Sequence, residues 1–142
     1  MYQDPCTAAD WEDVALERRS DALALHHAGR HVACLYHLGF TAECLAKALC
    51  VAYGKKVPKG RDGHNIPVIV ASAGFRLTGL SDETLAFLAD RDVSLRYQAT
   101  LAQDIHIETQ IKAAAEFVKW CTRYLRPQSE RRAARAQRKD GA

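Results

Sequence analysis

Apolar residues recur at helical spacing along most of the chain, and no stretch alternates apolar and polar residues between turn signals as a strand would. The clearest period lies at about 30–53, where Leu35, Leu38, Ala42, Leu45, Leu49 and Ala52 fall in steps of three and four along one face. Val32, Tyr36, Phe40, Cys44 and Val51 add apolar residues around the same helix. That predicts a segment enclosed by neighbours on several sides, with Gly39 allowing close backbone approach and Gly54 ending it. Before it, Thr7 and Asp10 form a capping-box pattern, and Trp11, Val14, Ala15, Ala22 and Leu25 follow at helical spacing up to Gly29.

Further along, Asn65 is placed to cap a short helix through "IPVIVASAG", with Pro67 tolerated in its first turn and Gly74 at its end. Ser81, followed by Asp82 and Glu83, opens a fourth helix, whose Leu85, Leu88 and Leu95 mix with polar positions and which takes in "DRDVSLRYQ" at 90–98. After the less periodic "QATLAQD", Ile107, Ile111, Ala114, Ala115, Val118, Cys121, Thr122 and Leu125 line one side of a last helix, which Pro127 is expected to end. The pattern predicts an all-α fold: a single up-and-down bundle of about five helices over 1–126, followed by a basic, disordered tail at 127–142.

A length of 142 residues suits one domain with one core. No unbroken apolar run approaches the ~20 residues that span a bilayer, and "MYQDPCTAAD" lacks the flank and apolar stretch of a signal peptide, so the expectation is a cytoplasmic protein without a membrane segment. The five cysteines are odd in number, form no C-x-x-C pair and mostly sit in apolar helical patterns, which reads as packing rather than disulfide or zinc chemistry. The net charge of +3 is uneven: residues 1–126 hold fifteen Lys/Arg against fifteen Asp/Glu, and 127–142 hold five against two. The body is therefore neutral overall, and the tail is the segment whose charge suits nucleic acid or another acidic partner. Within the body, "KKVPKGRDG" is an exposed basic loop and the best candidate for phosphate contact.

One charged pair falls inside the apolar pattern. Glu43 and Lys47 are four residues apart, the orientation that suits a helical ion pair, among Phe40, Ala42, Cys44, Leu45, Ala46, Ala48 and Leu49. Desolvation there calls for further partners, with Arg91 or Arg96 the candidates, and leaves open a polar seam between helices or a ligand contact.

"HLGFTAECLAKAL" resembles the signature helix of HEPN domains (higher eukaryotes and prokaryotes nucleotide-binding). "DGHNI" is similar to the Gly-His-Asp-Leu segment that follows their variable loop, and "LRY" to the Arg-Tyr that ends their next long helix. Order and spacing agree from about 31 to 97. The resemblance implies a helical bundle, usually a homodimer, in bacterial settings that include toxin–antitoxin and defence systems. Members with RNase activity use an Arg, a polar residue after it, and a His four to six residues beyond the Arg, with two protomers facing each other. In that chemistry His moves a proton near neutral pH and Arg stabilises the growing phosphate charge. Arg91 and Asp92 match the first two positions and Tyr97 lies near the motif's end, but Arg96 stands where the His is expected. Arginine stays protonated and cannot act as a base, whereas two arginines still suit phosphate.

His106 is ten residues beyond Arg96 and is the candidate to return a proton shuttle from the start of the last helix. His64, at a loop-to-helix junction, reads as a turn-fixing residue or a site residue, and His37 as packing against the Glu43–Lys47 pattern. Arg19 to His26 and Arg30 to His37 also place a His beyond an Arg, but outside the helix where the family carries its motif. His26, His27 and His31 are interrupted by Gly29 and have no completing acid or thiolate, so no metal site and no cofactor is expected. Three functions stay open: a non-catalytic module binding nucleotide or RNA phosphate through Arg91, Arg96, Tyr97, Glu43, Lys47 and His64; a metal-independent endoribonuclease using Arg91, Asp92 and His106; and a helical partner of a nucleotidyltransferase-type antitoxin.

Overall fold

The computed structural model describes residues 1–140. Five α-helices follow one another: α1 (Ala8–His27), α2 (His31–Ala52), α3 (Ile66–Ser72), α4 (Asp82–Ala89) and α5 (Ile107–Asp140), with 3-10 turns at Gly60–His64 and Val93–Tyr97. There is no strand among the described residues. The all-α bundle expected from the hydrophobic period is the fold observed.

Local chemistry sets the helix ends. Thr7 Oγ1 accepts from the Asp10 N–H at 3.0 Å, and the Asp10 carboxylate accepts from the Thr7 N–H at 3.1 Å, closing the capping box. Gly29, at φ 73°, lets the chain reverse after α1, with its own N–H on the His26 carbonyl and the Arg30 N–H on the Leu25 carbonyl. Asn65 caps α3 through the Val68 N–H at 3.3 Å. Ser81 caps α4, and Glu116 of α5 locks that cap by accepting from the Ser81 N–H at 2.7 Å and its hydroxyl at 2.9 Å.

Two boundaries differ from the sequence reading. The helix expected from Ser81 through Tyr97 stops at Ala89. Asp92 accepts from both the N–H and the hydroxyl of Ser94, at 2.9 and 2.7 Å, and this local turn competes with the helical ladder and starts a separate 3-10 turn. The last helix does not end at Pro127 but carries it and runs on to Asp140. One backbone hydrogen bond is lost there, and the Arg, Ala, Gln and Lys that follow are strong helix formers. The segment expected to be a disordered tail is thus helical as far as Asp140, and positions 141 and 142 lie outside the described residues.

α2 is the central element and packs against α1, α3, α4 and α5. Its Leu38, Ala42, Leu45 and Leu49 are buried, together with Ile66 and Ile69 of α3, Leu88 of α4 and Phe117 of α5. By length and composition α2 is apolar enough to cross a membrane, a property that a search for an unbroken apolar run overlooks, and 67% of that window is buried in the bundle. Its apolarity belongs to the core. The five cysteines are free and four are buried; burial pushes the Cys34 thiol up to about 11 and the Cys44 thiol up to about 12, so both are inert packing groups near neutral pH.

Candidate functional site

Glu43 faces into the bundle from the middle of α2, with only 3% of its side chain exposed. A lone carboxylate there would be strongly destabilising. It is held by two cations and an imidazole from three parts of the chain. Lys47, one turn on, donates to Oε2 at 3.0 Å; His64 Nδ1, from the 3-10 turn after the basic loop, lies 3.0 Å from Oε1; and Arg91 Nε stands 3.5 Å from Oε1, an ion pair without hydrogen-bond geometry. The seam expected from Glu43 and Lys47 therefore exists, and Arg91 rather than Arg96 joins it.

Arg91 follows the break after α4, which lets its side chain lie across α2. The guanidinium carbon sits 5.0 Å from the centre of the Tyr36 ring, Nη1 donates to the Tyr36 carbonyl at 3.4 Å, and 3% of the side chain is exposed. Gly39 provides the room: a Cβ at this position would lie 2.8 Å from Arg91 Cδ. The close approach that this glycine allows is thus to a side chain. Lys47 extends from the seam over the Trp11 ring, 5.2 Å from its centre, and so ties α1 to it.

Arg96 is elsewhere. The 3-10 turn carries it to the surface, with its guanidinium carbon 4.9 Å from the centre of the Tyr97 ring and no carboxylate in ion-pair range among the described residues. Hydrogen bonding with Tyr36, and then with Tyr97, raises its pKa further. Tyr97 is 74% exposed. Arg96 lines a cleft of about 980 Å³ between the α1–α2 corner and the segment leading into α5, shared with Arg30, His31, Tyr36, Gln98 and His106. This volume is at the upper end of small-molecule sites.

The sequence-derived residues thus fall into two groups. Glu43, Lys47, His64 and Arg91 form the seam, while Arg96 and His106 line the cleft, and Tyr97 packs against Arg96. Asp92 belongs to neither: it is exposed, and its carboxyl is held below the usual range by its bonds to Ser94. Tyr36, Arg30 and His31 were missed as site residues. Tyr36 precedes Gly39 by three positions on one helix face, which is the one sequence signal that could have linked it to a side chain crossing there. His26, His27 and His31 do approach one another, with ring centres 5.7 and 6.0 Å apart, but no set of three metal-binding side chains comes together among the described residues. His37 packs edge-on to Tyr36 with a buried Nδ1 that has no hydrogen-bond partner.

Fold and seam define a small helical-bundle domain in which one buried carboxylate pins two loops to the central helix. The family model for the HEPN domain matches residues 8–125, and the chain belongs to that family. No curated protein and no solved structure matches it. The resemblance carried by "HLGFTAECLAKAL", "DGHNI" and "LRY" is therefore correct at the level of the family, whose members are nucleotide- and RNA-related modules.

Three measurements test this geometry. Glu43→Ala leaves Arg91 buried without its carboxylate, and chemical denaturation should show a loss of about 3–5 kcal/mol. Gly39→Ala should cost about 1–3 kcal/mol by overpacking, and in a double-mutant cycle with Arg91→Ala the two losses should be clearly sub-additive, because removing the guanidinium empties the space the new methyl needs. Desolvation lowers the His37 pKa below 6.5, with Arg18 and Arg91 adding to the shift and Asp21 opposing it. The unfolded chain then binds a proton that the folded chain resists, so stability falls as pH drops below about 6.5. His37→Gln should flatten the part of the thermal-midpoint difference between pH 7.5 and pH 5.5 that this residue causes.

Proposed function

We propose that this HEPN domain is a phosphate-binding module that holds nucleotide or single-stranded RNA in the cleft beside Arg96, as a homodimer and without cutting it. The observation that carries the reading is the contrast between the two arginines. Arg91 is desolvated and committed to Glu43, whereas Arg96 stands at the surface with no carboxylate partner among the described residues, in a cleft that also holds Arg30. A guanidinium in that state suits a phosphate group. Tyr97, exposed beside Arg96, offers a face on which a base can stack. The homodimer is inferred from the family alone. The seam residues then act by holding the cleft's walls in place, a narrower role than ligand contact for Glu43, Lys47, His64 and Arg91. A cytoplasmic toxin–antitoxin or defence system is the setting we infer from the family, and there a nucleotidyltransferase-type partner is a further expectation.

One observation favours a second reading, a metal-independent endoribonuclease: His106 and His31 line the same cleft as Arg96. Imidazoles titrate near neutral pH and supply the proton acceptor that the turn itself lacks. Incubating the pure protein with labelled RNA in EDTA separates the two. Under the first reading RNA is bound and stays intact, and Arg96→Ala weakens binding about tenfold or more, as expected when a charge-assisted contact worth about 1.5–3 kcal/mol is lost. Cleavage that survives EDTA and disappears in His106→Ala would replace it with the second.

A further inference from the structure

α5 carries basic residues well past the bundle. Among the described side chains the last buried one in α5 is Leu125, and from there the helix continues to Asp140. On its exposed side within the bundle, Lys119, Arg123 and Arg126 follow at intervals of four and three and border a groove of about 460 Å³ with Thr122 and Pro127. Beyond the proline, Arg135, Arg138 and Lys139 are exposed at i, i+3 and i+4, a spacing that puts them on one face. Among the side chains described, which leave out those at 128–133 and 140, no carboxylate lies in ion-pair range of any of the six. From 119 to 139 is about 30 Å of helix axis at 1.5 Å per residue. At 100° per residue the two groups point about 145° apart around the axis, so they form two patches, and one phosphate is far too small to meet both.

We propose that the cationic face at the end of α5, formed by Arg135, Arg138 and Lys139, is a second contact surface for single-stranded RNA, reached by the phosphates that extend away from the cleft. It deepens the phosphate-binding reading given above and rests on it for the choice of RNA. Charge and length both point to a flexible polyanion. A membrane surface fits less well, because "PQSERRAARAQRKD" holds no large apolar side chain to enter the interface. Neutralising each phosphate of a single strand contributes a slope of about −0.7 to the logarithmic dependence of affinity on salt, so this face makes RNA binding much more salt-sensitive than mononucleotide binding.

The test uses the full chain and a variant with Arg135→Gln, Arg138→Gln and Lys139→Gln, which keeps good helix formers in place. Circular dichroism is compared first, since unchanged helix content assigns the effect to charge. Binding of a labelled 20-nucleotide RNA and of a fluorescent mononucleotide is then followed by anisotropy across a salt series. The expected result is mononucleotide binding equal in both proteins, RNA binding weakened at least tenfold in the variant, and an RNA salt slope reduced by about two in magnitude, for three lost contacts. RNA affinity and slope equal in the two proteins would overturn the proposal, as would no RNA binding at all, or binding only to anionic vesicles of phosphatidylserine and phosphatidylcholine. If the mononucleotide fails to bind while RNA binding still depends on the three residues, the cleft reading fails and the α5 face stands.

Discussion

The buried carboxylate of Glu43 is the constraint around which the domain is arranged. At 3% exposure on the central helix it has lost almost all contact with water, and its charge is tolerable only because Lys47, His64 and Arg91 surround it. Those partners come from α2 itself, from the turn that follows the basic loop, and from the break after α4. A single desolvated group thus fixes two irregular segments to a regular one. The apolar core alone would hold the helices together, but it gives no comparable reason for residues 60–64 and 90–92 to adopt one position each.

The seam also determines what is left for ligands. Arg91 lies across Gly39, over Tyr36 and beside Glu43, and drawing it outward would leave the carboxylate with less compensation inside the protein. Arg96 has no such obligation. Two arginines five residues apart in the sequence therefore differ in kind, one structural and one available. Tyr36 links the two environments, because its ring and carbonyl meet Arg91 while it also lines the cleft that holds Arg96.

Much of the architecture could be read from the sequence because its determinants are local. The three- and four-residue steps through α2, the capping box at Thr7 and the caps at Asn65 and Ser81 each depend on residues within one turn of one another, and all form. The misread boundaries are places where two local signals compete. Asp92 and Ser94 prefer their own turn to the helix, and the helix formers after Pro127 outweigh one lost hydrogen bond. For the site, the pairing of Glu43 with Lys47 was visible at four-residue spacing, and the need for an arginine followed from the apolar surroundings. Choosing between Arg91 and Arg96 needed the break at 90–92. Even on an unbroken helix the two would point about 140° apart, since five residues turn through about 500°. Arg30 and His31 could not be tied to Arg96 from sequence at all, because about 65 residues and three helices separate them.

The remaining chemical question turns on the segment from 98 to 106. The turn at 93–97 offers a cation and an aromatic ring, and neither is a ready proton acceptor: the guanidinium remains charged and a phenol is a poor base. Phosphate binding needs nothing more than this turn. Transfer of a ribose 2'-hydroxyl proton needs an imidazole at hydrogen-bonding range of the bound sugar, and the imidazoles lining the cleft belong to His31 on α2 and His106 just before α5. His31 is fixed by a helix packed into the core. His106 is exposed and follows a stretch with no regular structure, so its position relative to Arg96 is set by the path of that stretch. On the proposed reading, proton transfer in the cleft would depend on this connecting segment more than on Arg96, the arginine that stands where the histidine is expected.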